Sequence, residues 1–167
     1  MPDPAHRRTT ASPSLELRRL QTDAYLNFAR IHRALERVVL VLFQREGLAD
    51  ITPAQASLLM VLFQARRPLT ARELAEHQAL SQPTVGRLVH ALQAQGWVTR
   101  AASPDDGRAI LIRPTAKARR TLPRFIEVSN TMLDMAFDDV SEAAVRTIAR
   151  TTARLRENLE DGLEPRP

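Results

Sequence analysis

LTARELAEHQAL (69–80), SQPTVGRLVHALQAQG (81–96) and WVTRAASPDDGRAILIRPT (97–115) together decide the fold. The first piece reads as a short helix over Ala71 to His77, with Thr70 as its cap and Glu73 three residues on, the spacing of a capping box. After a four-residue turn, Ser81 caps a second helix over about Gln82 to Gln95, and Gly96 ends it. Within that helix Val85, Leu88, Val89 and Leu92 recur at i, i+3, i+4, i+7, one buried face. Strands at about 97–102 and 108–113 flank SPDDG, a polar hairpin turn. Two short helices followed by a ribbon with an arginine near its tip are the parts of a winged helix-turn-helix. In that motif the first helix supports and the second lies in the DNA major groove. Two positions depart from the ideal turn. Ala79 stands where a glycine would ease a left-handed conformation, and Gln78 where an apolar residue is common; each costs about 1 kcal/mol or less.

Upstream, a long helix is expected from about Ser14 to Glu46, with Leu17, Leu20, Tyr25, Phe28, Ile31, Leu35, Val38, Val39, Leu42 and Phe43 near helical spacing and Gly47 as its stop. Thr52 and Pro53 open the next helix as cap and first-turn proline, and it ends before Pro68. Downstream, Thr115 caps a helix to about Phe137, and Pro123 inside it should bend it by removing a hydrogen bond to residue 119. Ser141 and Glu142 open a last helix to about Asp161, where Val145, Ile148, Thr152, Leu155 and Leu159 form a narrow seam suited to packing on another helix. The expected class is therefore mainly α with a small β-wing. A winged helix-turn-helix lobe covers 52–115 and a helical dimerisation lobe covers 14–46 and 116–161, with a disordered tail at 1–13 and a short tail at 162–167. The apolar stripes on 17–43 and 125–159 exceed what one small winged helix can cover. A two-fold dimer would bury them and set two recognition helices one DNA turn, roughly 34 Å, apart.

Charge points the same way. The net charge is +5, but residues 52–125 hold 11 Lys/Arg against 4 Asp/Glu while the rest of the chain holds 13 against 15. Between Glu76 and Asp105 there is no acidic residue, the asymmetry a phosphate-neutralising surface needs. All but one of the 24 basic residues are arginine, a bias that genome composition alone can also produce. No apolar run is long enough for a membrane span, and MPDPAHRRTTASPS lacks the apolar core of a secretory signal. Cysteine is absent, which rules out disulfides and thiolate metal sites in this chain and fits a cytoplasmic setting. The four histidines (6, 32, 77 and 90) offer no i, i+3 or i+4 ligand pair, so no metal site is expected. There is no glycine-rich phosphate loop, nucleophile elbow or His-Glu metal motif. Asp105-Asp106 and Asp138-Asp139 sit where turn or helix-start acids are ordinary. No catalytic residue and no cofactor is expected.

On the second helix the face opposite the buried one carries Gln82, Thr84, Arg87 and His90, with Ser81 at its start. Arg87 suits guanine O6 and N7 bidentately, and Gln82 suits adenine N6 and N7. Ser81 can donate to a phosphate beside the free N–H groups of the helix start. Such residues also occur on any solvated helix face. The preceding helix, the turn and the ribbon make DNA contact the stronger reading.

The run from TPAQASLLMVL (52–62) to PDDGRAILIRPTAKAR (104–119) resembles the MarR family of bacterial transcription regulators. The matching pieces are Thr52, Pro53 and Gln55; Leu74-Ala75; Ser81, Thr84, Val85, Arg87 and Leu88; Gly96 with Arg100 in the first strand; and Asp106 with Arg108 in the wing. Gly107, Pro114 and Ala118 depart from the family's usual residues. The resemblance implies a homodimer with interlocked terminal helices, each subunit offering one winged helix to double-stranded DNA at a pseudo-palindromic operator. It assigns Arg108 to the minor groove or its phosphates and Asp106 to holding the wing, against a plain turn ion pair of little value. It also implies a small-molecule effector, aromatic or phenolic, bound between the two lobes and weakening DNA affinity. Tyr25, Phe28, His32, Met60 and Phe63 are the candidate walls, with plain core packing the ordinary alternative for each; a histidine among apolar neighbours, as His32 is, needs a partner. The function so implied is a sequence-specific regulator, most simply a repressor released by ligand. The alternative is a winged-helix module for protein–protein contact with no operator.

Overall fold

The computed structural model describes residues 14–104 and 109–163. In chain order they form α1 (Leu15–Arg45), α2 (Pro53–Ala65), β1 (Leu69–Thr70), α3 (Ala71–Gln78), α4 (Gln82–Ala94), β2 (Val98–Ala102), β3 (Ile110–Pro114), α5 (Ala116–Ala136) and α6 (Glu142–Leu163). The strands make one antiparallel sheet in the order β1-β3-β2. The expected mainly helical fold with a small β-wing is what the chain adopts, and α5 runs unbroken through Pro123.

Hydroxyl caps set the helix starts. Ser14, Thr52, Thr70, Ser81 and Thr115 each accept the backbone N–H three residues ahead, satisfying a donor the helix itself cannot. Thr52–Gln55 and Thr70–Glu73 are complete capping boxes. The Glu73 carboxylate accepts the Thr70 backbone N–H at 2.7 Å and lies 2.7 Å from Arg67. The Thr70 bond first, and Arg67 second, lower its pKa from 4.5 to about 2. A carboxyl held below its unfolded value stabilises the fold above pH 4.5, and that contribution disappears as pH falls through about 2. Glu73→Gln is therefore expected to lower the melting temperature at pH 7 and to melt like the parent near pH 2, as thermal denaturation followed by circular dichroism would record.

The core is built around α2. Leu58, Leu59 and Leu62 of that helix are fully buried with Leu74, Val85, Leu92, Leu69 and Ile112. Leu69 pairs with Ile112 and Thr70 with Leu111, so the segment before α3 becomes a third strand that the sequence reading does not include. Two residues are too few to show a period. In the turn, Ala79 takes the left-handed conformation at φ +50, and Gln78 clamps α2, accepting from the Ser57 hydroxyl at 3.1 Å and donating to its carbonyl at 3.3 Å. The polar residue at 78 thus does by hydrogen bonding what an apolar one does by packing.

The start of α5 fastens the helix-turn-helix to the long helices. Thr115 Oγ1 donates to the Gly96 carbonyl at 2.8 Å, and Arg124 donates to the Glu46 carbonyl at 3.3 Å. Lys117 Nζ reaches Asp50 at 2.8 Å and the Gln95 carbonyl at 3.1 Å, and lies 3.9 Å above the Trp97 ring. Trp97 packs on Phe125 at 5.7 Å, and Phe125 meets Phe43 edge-on at 6.0 Å. Away from this joint the helices are bare. α6 has no buried residue, and Leu17, Leu20, Tyr25, Phe28 and Ile31 of α1 are exposed. A 560 Å³ apolar cavity opens between α1, α5 and α6, lined by Phe28, Ile31, Met132, Ala136, Ile148 and Thr152 among others.

Candidate nucleic-acid interface

Val85, Val89 and Leu92 are buried and Leu88 half-buried, so α4 is pinned by the face expected. Gln82, Arg87 and His90 are exposed on the other side, and Thr84 is half-buried at its edge. Ser81 Oγ accepts the Thr84 N–H at 3.3 Å and shares a hydrogen bond with Thr84 Oγ1 at 2.9 Å. Arg87 Nη2 lies 3.5 Å from Thr84 Oγ1, at the limit of a hydrogen bond. Among the described residues no carboxylate pairs with Arg87, and the first turn of α4 holds no acid. The partial positive charge of the helix start is therefore met by the Ser81 hydroxyl and by no acidic side chain.

Gly86 is a feature the sequence reading missed. It is exposed, four residues from both Gln82 and His90 on the same stripe, and a Cβ there would meet nothing within 4 Å. Packing within the chain does not require glycine, yet glycine in a helix interior costs about 0.5–1 kcal/mol relative to alanine. What it supplies is a bare patch of backbone on the outward face, where an external group can come close. Its signal in the sequence is a lone glycine inside an otherwise regular helix.

Beyond the buried Val98, the remainder of β2 is exposed, and Arg100 stands on it opposite Ile112. Neither Arg100 nor Arg113 on β3 is paired to a carboxylate among the described residues. Asp106 and Arg108, assigned to the wing, lie outside the described residues.

The five residues suggested as ligand walls lie at separate places in the single chain. Phe28 lines the apolar opening between α1, α5 and α6. Met60 and Phe63 pack half-buried against the core, and Phe63 also borders a separate cavity near the end of α2. Tyr25 is 69% exposed. His32, expected to need a partner among apolar neighbours, is exposed and faces Glu36 one turn on at 3.7 Å. The reason is geometric: the first half of α1 is mostly exposed and its Phe28 faces α5 and α6, while α2 is buried among α3, α4 and the sheet. Among the described residues no cluster of three metal-capable side chains forms, and no helix is long and apolar enough to cross a membrane.

Residues 49–109 match the family model described as MarR family. The chain is 28% identical over 88 residues to the HTH-type transcriptional repressor IacR of Pseudomonas putida, an alignment covering 53% of each protein. The chain thus spans about half the length of that relative. Among solved structures it superposes on the transcriptional regulator SlyA with a TM-score of 0.75 at 21% identity, covering 84% of this chain and 96% of the other. It superposes on the organohalide-sensing regulator RdhR in its 2,4-dichlorophenol-bound form with a TM-score of 0.74 at 16% identity, covering 92% and 89%. At these identities the superpositions speak for the fold, and the matched segment is the one that carries the two helices and the ribbon. Over residues 49–109, the segment that carries the two helices and the ribbon, the chain is similar to the MarR family of transcription regulators.

Proposed function

We propose that this chain is a homodimeric, sequence-specific DNA-binding regulator that acts as a repressor and leaves its operator when an aromatic small molecule binds. The observation that carries the reading is the outward face of α4. Gln82, Arg87 and His90 stand exposed around a bare Gly86, with no acid in the helix start and no carboxylate on Arg87. In this reading α4 enters the major groove, Arg87 takes a guanine and Gln82 an adenine, and Gly86 lets the groove wall approach. Ser81 and Thr84 position the helix start on a phosphate. Arg100 and Arg108 follow the flanking backbone and minor groove, with Asp106 holding the wing. The bare faces of α1, α5 and α6 supply the dimer contact. The effector would enter an apolar space at that contact, of which Phe28 is one wall. The repressor name of the Pseudomonas putida relative and the dichlorophenol-bound state of the structural relative support these finer points.

The test is a titration of the purified protein against genomic fragments, including the DNA flanking its own gene, at 50 and 200 mM salt. Tight binding to one fragment, weakening by about 10³-fold or more across that salt range as counterions are released, is the expected result. Weak, equal and salt-insensitive binding to all fragments would leave a protein–protein module instead.

A further inference from the structure

A second concave site lies at the end of α2, and apart from Phe63 none of its walls figures in the regulator reading. Arg66, Arg67, Arg113 and Arg119 line one cavity of about 340 Å³, with Leu62, Phe63, Pro68 and Pro114 as the rest of its wall. Four arginines around one small cavity bring like charges together unless something negative joins them. Among the described residues one carboxylate pairs with them: Glu73, 2.7 Å from Arg67. Arg119 is tied to the Pro114 carbonyl at 2.9 Å, which fixes the group without neutralising it. Arg66 and Arg113 have no ion pair among the described residues, and Arg66 holds the left-handed backbone at φ +54 that ends α2. Together the five side chains leave a charge of +3 around the cavity.

The site does not belong to the DNA face. β1 and β3 run antiparallel, with Leu69 beside Ile112, so Arg66 and Arg67 stand level with the end of β3 that leads into α5. About 13 Å of strand, at ~3.3 Å per residue, separates Arg113 from Ala109 at the ribbon's far end. The charge therefore gathers at the base of the ribbon, not at the hairpin or the start of α4.

We propose that this cavity binds a small, multiply charged oxyanion, with a phosphate monoester as the best match. Such an anion carries about two negative charges and three acceptor oxygens at neutral pH, and arginine forks suit it better than they suit a single carboxylate. The Leu62, Phe63, Pro68 and Pro114 wall gives an apolar seat to the organic part of a phosphorylated molecule, and the volume lies at the lower end of small-ligand pockets. The bound anion would bridge the end of α2, the end of β3 and the first turn of α5.

Isothermal titration of the intact protein, without DNA and at constant ionic strength in chloride, tests this. The probes are inorganic phosphate, phenyl phosphate, citrate and benzoate. Saturable binding of phenyl phosphate below about 1 mM is expected, with benzoate at least about tenfold weaker. Arg66→Gln and Arg113→Gln, whose side chains make no hydrogen bond or ion pair among the described residues, are each expected to weaken it by about tenfold. Arg150→Gln on α6 should leave it unchanged. Citrate binding more tightly than phenyl phosphate, with the same dependence on Arg66 and Arg113, supports the oxyanion site and assigns it to polycarboxylates. No saturable binding by phosphate, phenyl phosphate or citrate overturns the proposal. So does binding that survives both variants, or benzoate binding as tightly as phenyl phosphate. Because no DNA is present, the outcome is independent of whether α4 reads an operator.

Discussion

Ile148→Asp combined with Leu155→Asp is expected to turn a dimer into a monomer and to weaken binding to the preferred DNA fragment by more than about 100-fold. Both residues lie on α6, which buries nothing within its own chain, and they are 46% and 42% exposed. Each large apolar side chain taken from water contributes about 1.5–3 kcal/mol, so a seam holding these residues with Leu159, Leu133 and Phe28 has a strong drive to find a cover. A second copy supplies one by symmetry. Putting two carboxylates into that seam removes the apolar gain and adds charges with no partner to meet. The effect on DNA follows from linkage: two joined recognition helices bind with an avidity 10²–10⁴ above one, roughly speaking, and a monomer loses that factor. Sedimentation velocity and fluorescence anisotropy on the same samples would check both halves. The core around α2 contains no residue of α6, so the variant should keep its helical circular dichroism. A variant that stays dimeric would place the subunit contact elsewhere.

Arg87→Ala is expected to have the second-largest effect, and on selectivity. A bidentate arginine–guanine pair contributes about 1–3 kcal/mol of discrimination. A dimer loses it twice, about 2–6 kcal/mol in all, or roughly 30-fold or more on the preferred fragment. Binding to unrelated DNA should change little, because that rests on phosphate contacts made by many groups. Arg87→Lys should not restore selectivity, since an ammonium lacks the planar fork. Anisotropy titrations against preferred and scrambled duplexes separate these outcomes. Equal losses on both duplexes would reassign Arg87 to the phosphate backbone.

The elements that can be read from sequence here are those whose information is local. Thr70 with Glu73 and Ser81 with Thr84 announce helix starts because the cap bond spans only three residues. Val85, Val89 and Leu92 announce a buried face because the helix repeat places them there. Apart from Gly86, whose signal is local, the missed features depend on contacts far along the chain. Leu69–Thr70 becomes a strand only because Ile112 and Leu111 lie beside it. Gln78 is acceptable in the turn because Ser57 is there to meet it. Arg66 and Arg113 share a cavity across 47 positions of sequence, which no local pattern shows. The suggested ligand walls are spread over the chain for the opposite reason. Tyr25, Phe28 and His32 share a helix, but what that stretch of α1 packs against is not supplied by the helix that carries Met60 and Phe63.

The contact of Lys117 with Trp97 gives the molecule a built-in gauge. The chain has one tryptophan and one lysine, and they touch at the seam between the recognition helix and the helices that carry it. Every photon emitted by the protein's indole therefore comes from that seam, and its one side-chain amine sits on the same spot. If α4 slides or tilts against α5, the ammonium must leave the ring face or the Gln95 carbonyl, and the light and the amine's reactivity change together. Movement elsewhere, in the tips of the ribbon or the far end of α1, leaves both silent. A shift of that one helix would thus report itself through groups the chain already carries, with no label added.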